Sequence, residues 1–377
     1  MDSTQYEYLR INKYLLFTIG IWPYQTTLQR SLVAIVFIPI IVAQVILQVL
    51  MHIVKQIYST SRPDIELDLQ ISISAELFCP LKRTSNYSHL DSFYRLITLL
   101  KDWEIYKKLR NEYDLLREQY AIGRKITITF LFGLITPFAA MPLLLNAADA
   151  LGLCNISDDR PLAFRVEHFV DVDKYYFPLL VHSYIGTLAY TTIVLAINSI
   201  IAVYVLHESG LCEVLSDVMD VKLHANKRDD KWYQNARDCV ILHEHIIEFA
   251  NILEDANTTS YLLQIGFNMI CVSFTQFQVA LAFRYVSVTI SLLCDLLFVS
   301  WPGQQLSDST ERIFEFTTNG KWYLSSINCR KVLMMMLSKS ITPLKLTAYK
   351  FYTLNLESFS AVARTSFSYT MVLCSVQ

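Results

Sequence analysis

The strongest constraint on this chain is a set of long stretches without charge. Ser31 to Met51, Ile126 to Ala148, Tyr175 to Leu206 and Thr259 to Phe283 contain no Asp, Glu, Lys or Arg. A fifth stretch, Tyr285 to Trp301, is interrupted only by Asp295. Arg284 alone separates it from the fourth, as in a tight hairpin. Such stretches match the length of bilayer-crossing helices; at ~1.5 Å per residue the third outreaches the hydrocarbon and must tilt or protrude. The C-terminal segment makes a sixth. Hydrophobic residues make up 53% of the chain, and mean hydropathy is +0.33, outside the range of soluble domains. The expected fold is all-α, a polytopic membrane helical bundle.

Several functions are excluded by what the sequence lacks. The net charge is −2, with neither a basic tail nor basic residues interleaved with aromatics, so no nucleic acid is expected as a partner. The first residues lack the short apolar core and small-residue cleavage site of a secretory signal, leaving the first span to direct insertion. The eight cysteines show no CxxC spacing, and His243 and His245 fall on different faces of a helix. No GxGxxG, P-loop, HExxH or GxSxG motif is present. The chain reads as neither an enzyme nor a holder of metal or cofactor.

Loop charge sets the expected orientation. Residues 82–125 are rich in Lys and Arg and read as cytosolic by the positive-inside rule. The N-terminus is weakly positive too. Loop 149–174 is acidic, carries the glycosylation sequon Asn155-Ile156-Ser157, and reads as external. Segment 207–258 reads as internal, with an amphipathic helix whose Cys239, Leu242, Ile246, Phe249 and Leu253 share one side. An even number of crossings must then separate the N-terminus from residue 82, yet only one convincing span does. The missing crossing falls on residues 63–82, where Asp64, Glu66, Asp68 and Glu76 break any ordinary span. Three accounts close the count: a degraded span sheltered by other helices, a wrongly joined exon, or an external basic segment. The preferred reading is a seven-span plan with a degraded or missing second span.

The last stretch, from Ile341, is expected to open a helix near Pro343 and continue to the end. Ser358, Ala361, Thr365, Ser368, Val372 and Ser375 recur at three- and four-residue steps and form one stripe. All are small or hydroxylic except Val372. Leu356, Phe359, Ala363, Phe367, Met371 and Cys374 form an apolar stripe beside it. A small, hydroxylated seam serves either close helix packing or the lining of a water-filled path. Three charges lie in or near spans. Asp295 reads either as a carboxylate satisfied by hydroxyls within the bundle or as part of an ion path. Glu357 and Arg364, seven apart on one face, read as a helix-to-helix or chain-to-chain ion pair.

The segment WPGQQLSDSTERIFEFTTNGKWY, residues 301–323, resembles the region after the sixth span of insect odorant receptors, with its PGQ turn and closing Trp-Tyr. Residues 331–373 resemble that family's C-terminal signature: an SxxP-LK-TA turn, an FYxL-LExF helix and a closing SFSYxxVL. Residues 100–127 resemble its long cytosolic helix leading into the third span. The resemblance implies a seven-helix plasma-membrane protein with a cytosolic N-terminus and an extracellular C-terminus. Such chains are tuning subunits of odorant-gated cation channels and form heterotetramers with an odorant co-receptor. The last helix lines the pore in that family, and its hydrophobic gate falls here on Val372 and Val376, with Ser375 between and Ser368 a turn below. The implied layout is 1–206 for the first four spans and the outer pocket, 207–258 for a cytosolic anchor region, and 259–377 for the remaining spans, anchor and pore helix. Within it, Trp232 to Ala256 and Ile327 to Lys350 build the anchor. The implied pocket for a small volatile ligand comprises Ile135, Phe138, Met141, Tyr184, Leu188, Phe274, Phe277, Phe283, Tyr285 and Val288. Aromatic and aliphatic walls there bind mainly by apolar burial, ~25 cal/mol per Å².

Rival readings are a gustatory-type channel of the same superfamily, a receptor made non-functional by its second span, and a G-protein-coupled receptor. The first is marked by TYhxxxxQF near the C-terminus, where this chain has SFSYTMVL. The last places the N-terminus outside, against the loop charges, and neither DRY nor NPxxY is present.

Overall fold

In the computed structural model, the described residues are 9–33, 35–36, 39, 90–100, 113–135, 174–223, 230–281, 286–320, 322–324 and 326–376. The second-span segment, the acidic loop with Asn155 and most of the first span lie outside them. The described elements are helices α1 (Arg10–Ile19), α2 (Leu90–Leu100), α3 (Tyr113–Ile135), α4 (Tyr176–Leu223), α5 (Asp230–Leu281), α6 (Val286–Asn319), α7 (Ile327–Ser340) and α8 (Leu356–Val376). A short hairpin, β1 (Thr347–Ala348) and β2 (Tyr352–Thr353), lies between α7 and α8.

Helix α4 forms the axis of the bundle. It is long and apolar enough to cross a bilayer, yet most of its apolar stretch is buried inside the protein. Ile193 through Leu206 are buried with almost no break, because α1, α3, α5 and α6 pack around them. Polar ties set the register of these neighbours. Asn12 of α1 donates to Ser199 Oγ at 2.9 Å, and Tyr120 of α3 meets His207 Nδ1 at 2.8 Å. Phe130 of α3 stacks on Phe298 of α6 with ring centroids 3.8 Å apart.

Two long helices replace what reads in the sequence as spans plus a separate loop helix. α4 continues past Leu206 to Leu223, and α5 runs from Asp230 through the amphipathic segment into the fourth charge-free run. The expected face is present: Cys239, Leu242, Ile246, Phe249 and Leu253 are all buried. Each helix can continue because no proline falls in residues 207–281, and the amphipathic part still has an apolar face to bury.

Two expectations about turns fail. Trp301-Pro302-Gly303, read as a turn ending the fifth run, lies inside α6. Pro302 removes one backbone donor there, and packing carries the helix through. The last stretch does not open a helix at Pro343: α7 ends at Ser340, and α8 begins only at Leu356. Between them, Tyr349 (φ 50°) and Lys350 (φ 62°) take the central positions of the turn in a three-residue hairpin loop, with Phe351 N–H donating to the Ala348 carbonyl at 3.1 Å. Neither residue is the glycine or asparagine such a turn favours, so its sequence carries no hairpin signal. Tertiary bonds hold it instead. Thr258 of α5 accepts from Tyr349 N–H at 2.7 Å, Thr259 Oγ1 meets the Tyr349 hydroxyl at 2.9 Å, and Thr347 Oγ1 donates to Glu254.

Gly303 explains why α6 and the entry to α8 come so close. A Cβ built there would sit 2.2 Å from the Leu354 carbonyl oxygen, a backbone atom with little room to yield. Gly266 on α5 has no such neighbour within 4 Å. Gly303→Ala is expected to cost about 1–3 kcal/mol or more through overpacking, whereas Gly266→Ala gains up to ~1 kcal/mol of helix propensity. Thermal unfolding of the detergent-solubilised protein should show the melting temperature falling for the first and holding or rising for the second.

Candidate functional site

Helix α8 is the element on which most of the chemistry converges. Asn355 caps it, accepting the Ser358 N–H at 2.7 Å. One side is covered by the chain itself: Val362, Ser366 and Thr370 are buried, packed mainly on α5. The expected seam lies on the other side. Ala361, Thr365, Ser368, Val372 and Ser375 are exposed, and Ser358 is half-buried. Val372 is 58% exposed. Phe367 and Met371, from the apolar stripe, are exposed beside it. The side chain of Val376 lies outside the described residues.

The seam hydroxyls are oriented in a consistent way. Thr365 donates to the Ala361 carbonyl at 2.8 Å, Ser368 to Arg364 at 3.1 Å and Ser375 to Val372 at 2.7 Å. Each spends its proton on its own helix and leaves its oxygen lone pairs directed outward. Glu357 and Arg364 flank this face and are both exposed. Arg364 folds back to the carbonyl and hydroxyl of Ser360, each at 3.3 Å. Among the described residues, no ion pair joins it to Glu357.

Asp295 occupies the middle of the bundle. It is 5% exposed and accepts three side-chain amide bonds: Oδ1 from Asn198 of α4 at 2.9 Å, and Oδ2 from Gln264 and Asn268 of α5 at 2.9 and 2.7 Å. Amides thus satisfy this carboxylate where hydroxyls were expected. Gln264 and Asn268 stand one helical turn apart within a charge-free run, a spacing that aims both at one point on a neighbouring helix.

The implied ligand residues are only partly described. Tyr184 and Val288 are half-buried, and Leu188, one turn from Tyr184 on α4, is exposed. Ile135 closes α3, while Phe274 and Phe277 lie on α5; their side chains, like all of Phe138, Met141, Phe283 and Tyr285, lie outside the described residues.

Long helices wrapped around a buried apolar axis, with an internally satisfied carboxylate, define an all-α helical bundle. The family model for the 7tm odorant receptor matches residues 67–367, and the chain belongs to that family. Among solved structures it is similar to the insect olfactory receptor OR5 from Machilis hrabei, at 12% identity and a TM-score of 0.80 over 99% of both chains. The same receptor in complex with eugenol gives 13% identity and a TM-score of 0.78 over 98% of both. No curated protein matches the chain by sequence. The helical bundle expected from the charge-free runs is therefore the family's fold.

Asn198, Gln264, Asn268, Gln276 and Thr370 were not among the residues that sequence spacing singled out. The detectable signal was a set of amides in otherwise apolar runs: Asn198 in one, and Gln264, Asn268 and Gln276, one and then two turns apart, in another. Asp295→Asn puts an NH2 group opposite at least one of three amide donors and is expected to destabilise by about 1–3 kcal/mol. Combined with Asn268→Leu, the loss should differ from the sum of the single changes, since the two side chains are in contact within one hydrogen-bond network. A double-mutant cycle on thermal unfolding of the purified protein measures this.

Proposed function

We propose that this odorant receptor is a tuning subunit whose α8, Leu356–Val376, lines a cation path gated by a small volatile ligand, in a heteromer with an odorant co-receptor. The observation that carries the reading is the uncovered seam of α8. A hydroxyl face left bare by its own chain is poorly matched to lipid, which offers no donor to the outward oxygen lone pairs. Its outward oxygens suit water and cations, and copies of α8 around an axis would place those oxygens along a shared path. Val372 is the apolar member of the seam. A ring of isopropyl groups closes such a path by dewetting, which makes Val372 the gate, with Val376 beyond it.

The chemistry of the ligand follows from Tyr184, Val288 and, by sequence, Phe274, Phe277, Phe283 and Tyr285: a small, mostly apolar molecule with at most a few polar groups. Eugenol, bound by the Machilis hrabei receptor, belongs to that class. The proposed orientation has the N-terminus cytosolic and the C-terminus extracellular, in line with loop charge.

The region where α7 packs against the first part of α5 supplies an assembly surface. A groove of about 630 Å³ between α5 and α7 is lined by Val240, His243, Glu244, Met334, Met335 and Lys339. Met334 and Met335 are largely exposed, as is Ile341 just beyond α7. Burial, with the Lys339 ammonium nearby, holds the His243 imidazole down to about 4, so it is neutral at physiological pH. The groove is thus mostly apolar, crossed by the exposed Glu244–Lys339 pair at 3.7 Å. Adaptable methionines fit a partner subunit of similar but not identical sequence.

Two tests bear on this reading. With the co-receptor present, Val372→Ser should raise unstimulated current per surface receptor and Val372→Leu should lower it; whole-cell recording with surface labelling reads both, and an unchanged Val372→Ser current returns the seam to packing. Met334→Glu with Met335→Glu should reduce co-purification with the co-receptor by about tenfold or more, as expected when charges enter an apolar interface core. Normal co-purification would move the interface elsewhere.

A further inference from the structure

The pore helix is attached to its neighbour through hydroxyls and an amide where apolar packing would be the ordinary choice. The face of α8 buried against α5 carries Ser366 and Thr370, and Thr370 meets Ser273 and Gln276 of α5. Thr370 has one hydroxyl proton and three acceptors within reach: the Ser366 carbonyl of its own helix at 3.0 Å, Gln276 Oε1 at 3.1 Å and the Ser273 carbonyl at 3.3 Å. One turn earlier, the Ser366 hydroxyl is fully buried and has no hydrogen-bond partner among the described residues.

These two observations bear on motion. A seam joined by interdigitated apolar side chains has one best register, because every shift opens voids. A hydroxyl donor that can turn to its own helix instead of its neighbour lets the seam shift without stranding a proton. Thr370 is such a donor. Ser366 shows that the present register leaves one buried polar group unsatisfied, and native structures rarely do so without a reason. A second register in which Ser366 is paired and Thr370 has released Gln276 would remove that unsatisfied group. The positions fit a coupling role. Thr370 lies two residues before Val372, and in sequence Gln276 lies between Phe274 and Phe277, expected at the ligand pocket.

We propose that the Gln276–Thr370 hydrogen bond is the closed-state latch of the pore helix, holding α8 against α5 until ligand on the α5 side draws Gln276 away. The proposal rests on the reading of α8 as the pore-lining helix. Thr370 and Gln276 act here as positioning residues: neither touches the ion or the ligand.

The experiment is whole-cell recording of unstimulated sodium current from the full-length chain with its co-receptor, normalised to surface receptor. Thr370→Val keeps the side-chain shape and removes the donor, and should raise the resting current about fivefold, the effect of one net hydrogen bond on a two-state equilibrium. Gln276→Leu, on the other helix, should do the same and reads the bond even where Thr370→Val fails to reach the surface. The double variant should not exceed the larger single effect. Thr370→Ser, which keeps the hydroxyl, should behave as the unmodified chain. Unchanged current per surface receptor in both single variants, or additive effects in the double, overturns the latch. If Val372→Ser raises the current and those variants do not, the pore reading stands and the latch alone falls. If no variant, the unmodified chain included, conducts with the co-receptor, the pore reading falls and takes the latch with it.

Discussion

The bundle depends on a carboxylate placed where water cannot reach it. An ionisable group at that depth is tolerated only when the surrounding protein satisfies it, and Asp295 receives amide N–H groups from two other helices. Satisfying the charge and aligning the helices are one event. Oδ1 faces α4 and Oδ2 faces α5, so α6 has a single rotation and a single height at which all three bonds close. Apolar contacts between membrane helices do not discriminate well among registers, since lipid is as apolar as leucine. Polar ties repeat the device on α4: Asn12–Ser199 at the level of Asn198, and Tyr120–His207 more than two turns further along. Together they specify which way each helix faces, and that decides which face of α8 remains uncovered.

The two sides of helix α8 answer to different environments. Its covered side reaches α5 through Thr370 and Ser366, and its bare side presents hydroxyl oxygens with their protons already used. Small and hydroxylic residues serve both sides, so the stripe by itself is compatible with packing and with pore lining. Burial separates the two: residues 362, 366 and 370 are covered, while 361, 365, 368 and 372 are not.

Much of this was legible in the sequence because membrane helices obey a simple rule about charge. The runs ending at Leu206 and Phe283, the apolar face from Cys239 to Leu253, and the seam of α8 each follow from one-dimensional spacing. The features that escaped depend on contacts between distant parts of the chain. The Tyr349–Lys350 turn adopts left-handed backbone angles without glycine or asparagine because Thr258 and Thr259, far away in sequence, hold it. Pro302 and Gly303 look like a helix end, and the helix passes through them because Leu354 packs against the glycine. Asp295 and its partners come from three helices, and spacing on any one of them shows at most two.

The continuity of α4 and α5 has a mechanical consequence. With 48 and 52 residues and ~1.5 Å of rise per residue, each is a rod of roughly 70–80 Å, more than twice the hydrocarbon thickness. Held near its middle by Asn198, the unbroken rod of α4 behaves as a lever. A tilt of about 5° at that fulcrum moves each end by about 3 Å in opposite directions. Displacement at one end of α4 is thus passed to its other end without any intermediate chain of rearranging side chains, while the hairpin, bonded to α5 at Glu254, Thr258 and Thr259, sits near the middle of the second rod.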